Sequence, residues 1–189
     1  MTAVRGELGV IILGVDPGSA CTGYGVLEYS RQACTYLDCG CIRAPRQLAL
    51  EDRLVVMFTR LREVVEQCRP AEAAVERTFC GKDPDAAAKL GHARGVLLLA
   101  LRLAGVPIAQ YSPAEVKRAV TGNGRAAKEQ VQSVTARLLG IRSMPKPLDA
   151  SDALAVALCH AFRPGALLAA ASSGRKPAVD ALLRRMIRR

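Results

Sequence analysis

Val10-Ile11-Ile12-Leu13-Gly14-Val15 is a short, β-branched apolar run that stops at Asp16-Pro17-Gly18. A run of this length, closed by a turn triplet, predicts a strand buried in the interior with Asp16 at its end. Two further strand candidates follow, Gly23-Tyr24-Gly25-Val26-Leu27 and the segment from Thr35 to Ile42. The chain therefore opens β-β-β in hairpin fashion, unlike a doubly wound nucleotide fold, which alternates strand and helix.

Downstream, Leu50, Leu54, Met57, Phe58, Leu61, Val64, Val65 and Cys68 recur at three- and four-residue spacing, which predicts an amphipathic helix over 48–68, ending before Pro70. Ala73-Ala74-Val75 reads as a short strand that delivers Glu76 at its end. Asp83 is a candidate N-cap for a helix that starts at Pro84 and runs to about Ala104, followed by a strand from Val106 to Tyr111. Ser112-Pro113-Ala114-Glu115 carries a capping-box pattern, so a short helix follows, stopped at Thr121-Gly122-Asn123-Gly124. Helices over about 127–139 and 149–162 complete the order β-β-β-α-β-α-β-α-α-α, a mixed five-stranded α/β sheet flanked by helices.

This pattern divides the chain into an N-terminal extension at 1–9, one domain at 10–163 and a basic C-terminal tail at 164–189. The tail holds about half of the net charge, and Val179, Leu182, Leu183, Met186 and Ile187 keep helical spacing, so it reads as a frayed terminus or an amphipathic helix. Over the 189 residues, 27 Lys and Arg stand against 17 Asp and Glu, a formal charge of +10, which points to a polyanionic partner, nucleic acid or an anionic membrane. No apolar run approaches the roughly 20 residues needed to span a bilayer, and the expected compartment is the cytosol. Seven cysteines without a Cys-x-x-Cys pair, and only His92 and His160, give little support to a zinc site; mostly buried, reduced thiols are expected.

Acids stand where apolar elements end: Asp16 after the first strand, Glu76 after the fourth, Asp149 and Asp152 at the start of the last helix. Three residues apart, Asp149 and Asp152 project from one side of the first turn, with about 4.5 Å of axial rise between them. All-oxygen ligands suit Mg²⁺ or Mn²⁺, and two such ions roughly 4 Å apart can activate water and stabilise the leaving oxygen in phosphodiester hydrolysis. Each acid taken singly also has an ordinary use, as helix cap, first-turn acid or Asx turn. His160 lies roughly 12 Å along the helix from Asp152 and is not expected to bind the same ion.

The chain resembles the bacterial RuvC family of crossover-junction resolvases. The resemblance is carried by Ile11 to Ser19 with Thr22 to Val26, by Val75-Glu76-Arg77-Thr78-Phe79, by Lys89 to Gly95, by Val116 to Gly122 with Lys128 to Val131, and by Asp149 to Ala157. These blocks stand in order over about residues 10–162. The resemblance implies a ribonuclease H-like fold and a magnesium-dependent endonuclease, with Mn²⁺ able to substitute, whose catalytic and metal-binding acids are Asp16, Glu76, Asp149 and Asp152. It also implies a homodimer that nicks two opposed strands of a four-way junction symmetrically, beside the branch-migration proteins RuvA and RuvB.

Within that resemblance Phe79 is the residue expected to stack on an unpaired base at the crossover, with packing under its loop as the ordinary alternative. Lys117 and Lys128 match basic positions expected to follow the DNA backbone; otherwise they are solvated helix lysines. Arg77, Lys82, Arg118 and Arg125 are weaker candidates for the same surface. Gly91 and Gly95 share a helix face and permit close approach, to the domain's own sheet or to a dimer partner. Competing readings are another ribonuclease H-like nuclease or transposase, a nucleotide-binding protein using Asp16-Pro17-Gly18 as a phosphate loop, and a junction-binding scaffold without cleavage.

Overall fold

A computed structural model describes residues 9–30, 33–77, 83–142 and 148–163. Residues 1–8 of the N-terminal extension, the segment carrying Phe79 and Lys82, and the basic tail lie outside the described residues.

The elements follow the predicted order: β1 (Val10–Asp16), β2 (Cys21–Ser30), β3 (Ala33–Arg43), α1 (Leu50–Cys68), β4 (Glu72–Glu76), α2 (Pro84–Leu103), β5 (Ile108–Tyr111), α3 (Pro113–Thr121), α4 (Lys128–Leu138) and α5 (Leu148–Ala161). The strands form one sheet in the order β3-β2-β1-β4-β5, antiparallel across β3-β2-β1 and parallel across β1-β4-β5. Central position explains why β1 is apolar on both faces. The hairpin strands β2 and β3 are longer than their sequence patterns suggest, because pairing with each other continues to Ser30 and Ala33.

Pleating sends alternate side chains to opposite layers. Leu13, Val15, Val26 and Val75 face α1 and α2, where Met57, Leu61, Leu97 and Leu101 complete one apolar layer. Ile12, Leu27 and Ala74 face α5, whose residues Leu154 to Leu158 form the centre of the other layer with α3 and α4. Local signals fix the helix starts: the Asp83 carboxylate accepts from the amides of Asp85 at 3.0 Å and Ala86 at 3.2 Å, and Ser112 with Glu115 forms the expected capping box.

Helix α5 is apolar nearly all round and lies directly on the backbone of β1 and β2. Gly14 and Gly25 pair across the two strands, and Gly23 pairs with Asp16. A Cβ on Gly14 would run into the carbonyl oxygen of Ala153 and the amide of Ala157; one on Gly25 would meet the amide of Leu154, and one on Gly23 the carbonyl of Asp149. Three missing side chains thus form a floor on which a helix backbone can rest. At its far end α5 is pinned by a buried polar chain: His160 Nε2 lies 2.5 Å from Glu72 Oε2, and His160 Nδ1 lies 2.6 Å from the Tyr111 hydroxyl. This accounts for His160 as a structural residue, and His92 is exposed.

Gly14→Ala puts a methyl against the backbone of Ala153 and Ala157, atoms that move only if the whole helix moves. We expect it to cost about 3 kcal/mol or more, a fall in Tm of roughly 6–12 °C by thermal denaturation. A Tm unchanged within about 2 °C contradicts the floor.

Candidate active site

The parallel register Val15↔Val75 sets the ends of β1 and β4 side by side, and strand alternation turns Asp16 and Glu76 toward α5. There the first turn of α5 presents Asp149 and Asp152. One carboxylate oxygen from each of Asp16, Asp149 and Asp152 lies within 4.8 Å of the others. Glu76 stands beside Asp16, close enough for each carboxyl to shift the other. Four acids from three elements therefore converge, although up to 136 positions separate them in the chain. The donor set of the trio is all oxygen, which fits a hard divalent ion.

Burial is the main cause that raises the Asp16 carboxyl, and the charges of Glu76, Asp152 and Asp149 add to it, pushing it up to about 8. Burial also raises Glu76, with the Asp152 charge adding to that shift, while the adjoining Asp16 carboxyl and the charges of Lys128 and Lys117 oppose it. Desolvated and side by side, the two carboxyls hold a proton between them at neutral pH. Partly buried acids kept together without full compensation are costly, and a divalent cation relieves that cost directly.

Two lysines stand across from the acids. Lys128 Nζ lies 2.6 Å from Asp152 Oδ2, a pair that raises the Lys128 ammonium further. Lys117 and Lys128 line, with Glu76 and Asp152, a cavity of about 190 Å³ between α3, α4 and α5. Arg118 and Arg125 are exposed, and Arg77 is exposed with its guanidinium 3.4 Å from Glu115.

Other contacts hold the frame. Arg53 of α1 donates to the carbonyl of Ser19 in the loop after Asp16, and Thr22, fully buried, donates to Gly18 O at 3.3 Å. Arg94 of α2 reaches the carbonyl of Glu76 and the side chain of Gln110. No sequence pattern points to Arg53, since its partner is a loop carbonyl 34 residues away.

The cysteines differ from the expectation. Of the described thiols only Cys159 is buried; Cys34, Cys39 and Cys41 are half-buried on the edge strand β3, and Cys21 at the start of β2 and Cys68 at the last position of α1 are half-buried as well. Two of them, Cys21 and Cys41, meet Asp149 beside the acidic centre. A Cβ on Gly91 or Gly95 would meet nothing within 4 Å among the described residues, so neither glycine packs on the domain's own sheet.

Without divalent ions, folded Asp16 keeps its proton to about pH 8, whereas an unfolded aspartate loses it near pH 4. The folded state then binds more protons across that window, so stability falls as pH rises through it. Asp16→Asn removes the effect. We expect the metal-free variant to be more stable than wild type at pH 8 by about 1–2 kcal/mol, and the gap to close toward pH 4, by urea denaturation in EDTA. A variant less stable than wild type at pH 8 contradicts this reading.

The family described as "Crossover junction endodeoxyribonuclease RuvC" matches residues 12–160. The crossover junction endodeoxyribonuclease RuvC of Halorhodospira halophila is 46% identical over 165 residues, 87% of this chain and 98% of that one. The structure of Thermus thermophilus RuvC in complex with a Holliday junction substrate superposes with a TM-score of 0.76 at 36% identity, over 81% of this chain and 93% of that one. The yeast mitochondrial Holliday junction resolvase Ydc2 shares the fold, with a TM-score of 0.60 at 12% identity, over 80% of this chain and 78% of that one. Sheet order, helix placement and the matched residues agree: the α/β fold is the ribonuclease H-like one, and the chain belongs to the RuvC family of crossover junction endodeoxyribonucleases.

Proposed function

We propose that this chain resolves four-way DNA junctions in recombination and repair by metal-dependent hydrolysis, nicking two opposed strands symmetrically as a homodimer. The observation that carries the reading is the convergence of Asp16, Asp149 and Asp152 oxygens within 4.8 Å, with Glu76 at the neighbouring strand end beside Asp16. In this proposal the four acids are the catalytic, metal-holding residues, for two Mg²⁺ ions per site with Mn²⁺ as a substitute. Such ions supply a nucleophilic water and neutralise charge on the scissile phosphate.

The chain's own residues do the rest. Asp16 gives up its proton as the site fills. Lys128, now paired with Asp152, is free to turn to a DNA phosphate once the carboxylate charge is met otherwise, and Lys117 tracks the backbone beside it. Phe79, three residues beyond Glu76, is assigned to stacking on an unpaired base at the crossover. The open face of α2, where Gly91 and Gly95 align with Leu99 and Leu103, 52% and 44% exposed, suits a twofold contact. RuvA and RuvB are the proposed working partners, and the cytoplasm the proposed compartment. Among the described residues no helix is long and apolar enough to cross a membrane.

A mobile synthetic junction and a matched linear duplex are incubated with wild-type protein and with Asp16→Asn, with and without Mg²⁺. Paired symmetric nicks in the junction alone are expected, lost by at least roughly 10³-fold in the variant while junction binding persists. Equal cutting of the duplex favours a general nuclease, and binding without cutting favours a scaffold. Lys117→Ala should weaken junction binding and lower the salt slope by about 1; an unchanged slope removes Lys117 from the interface.

A further inference from the structure

Beside the acidic centre lies a second group of ligand atoms with different chemistry. The sulfurs of Cys21 and Cys41 and one oxygen of Asp149 lie within 4.8 Å of one another. Cys21 sits at the start of β2; Cys41, on β3, pairs with Gly23, so the two cysteines are diagonal neighbours on one face of the hairpin. Asp149 descends onto the same face because Gly23 lets its carbonyl touch the strand. The contact between Cys41 Sγ and Asp149 Oδ2 is 3.9 Å.

These separations resemble the edges of a metal polyhedron. With metal–sulfur bonds near 2.3 Å and metal–oxygen bonds near 2.1 Å, tetrahedral geometry puts ligand atoms roughly 3.6–3.8 Å apart, a small rotamer adjustment from what is seen. Cys41 and Asp149 also line an open cleft with Tyr24, Arg43 and Lys128, which admits an ion and a water as fourth ligand. Arg43 stands opposite Cys21 in the register of β2 and β3, on the face that carries both thiols.

We propose that Cys21, Cys41 and Asp149 form a binding site for a thiophilic divalent cation of the zinc class, adjacent to and sharing Asp149 with the hard-ion site. Two metal–sulfur bonds form as two thiol protons pass to solvent, and no oxidation change occurs. Mg²⁺ does not compete for the thiolates, because it demands oxygen ligands and octahedral geometry. An ion held there draws on a carboxylate that the acidic centre uses. On the function proposed above, zinc therefore inhibits junction cleavage by withdrawing Asp149.

The probe is Co²⁺, added to reduced, metal-free, full-length protein in excess Mg²⁺. One equivalent is expected to produce a sulfur-to-cobalt charge-transfer band, bleached by one equivalent of Zn²⁺. Cys21→Ser and Cys41→Ser should weaken binding by at least about 100-fold and remove the band. Asp16→Asn and Cys68→Ser should keep it, which separates this site from the acidic centre and from other thiols. Absence of the band in wild type, or its survival in Cys21→Ser, overturns the proposal. In a parallel cleavage assay Cys21→Ser keeps its Mg²⁺-dependent rate and resists Zn²⁺. If wild type does not cleave junctions at all, the band still decides the metal site.

Discussion

The contact of α5 with the glycines of β1 and β2 is the constraint on which the rest depends. A helix normally stands off a sheet by the length of the side chains between them, about 10 Å from axis to strand plane. Here Gly14, Gly23 and Gly25 remove that spacer, and the helix backbone rests on the strand backbone. Two consequences follow from one geometry. The apolar body of α5 forms the centre of the core layer, and its first turn is lowered to the level of the β1 terminus. Aspartate, with one methylene, has a short reach; only this approach lets Asp149 and Asp152 share space with Asp16.

The convergence works against folding. Burial and mutual repulsion hold the Asp16 proton in place, and Lys128 occupies Asp152 as an internal cation. Such a site stores unfavourable electrostatic energy, which the surrounding scaffold offsets through burial of α5 and through the His160–Glu72–Tyr111 chain at its other end. Stability and ion binding thus meet in one helix: its C-terminal half anchors, and its N-terminal turn carries charge toward the strand ends. The same proximity that gathers oxygens also brings two thiols of the β2–β3 hairpin to Asp149.

Much of this was legible in the sequence because the deciding signals are local. The run ending at Asp16-Pro17-Gly18, the helical spacing of α1 and the Ser112–Glu115 capping box each name an element without reference to any other. The four acids were legible as strand-end and helix-start positions, and the family resemblance joined them. What depends on approach across the fold was not. Gly14 and Gly25 look like ordinary strand glycines until α5 is laid over them, and Glu72, a charged residue at a strand start, shows no sign of its buried histidine partner 88 positions away. Cys21 and Cys41 become neighbours only through hairpin register, and Arg53 gains meaning only from the Ser19 carbonyl.

Lying on the glycine floor, α5 completes with β1 the proposed shared ion site. A crystal structure of the protein grown with Mn²⁺, measured at the manganese absorption edge, tests that claim directly. We expect anomalous density between Asp16 and the first turn of α5, with carboxylate oxygens of Asp16 and of Asp149 or Asp152 roughly 2.2 Å from the peak. Saturating Mn²⁺ with no peak between these elements, or a peak that Asp16 does not touch, contradicts it.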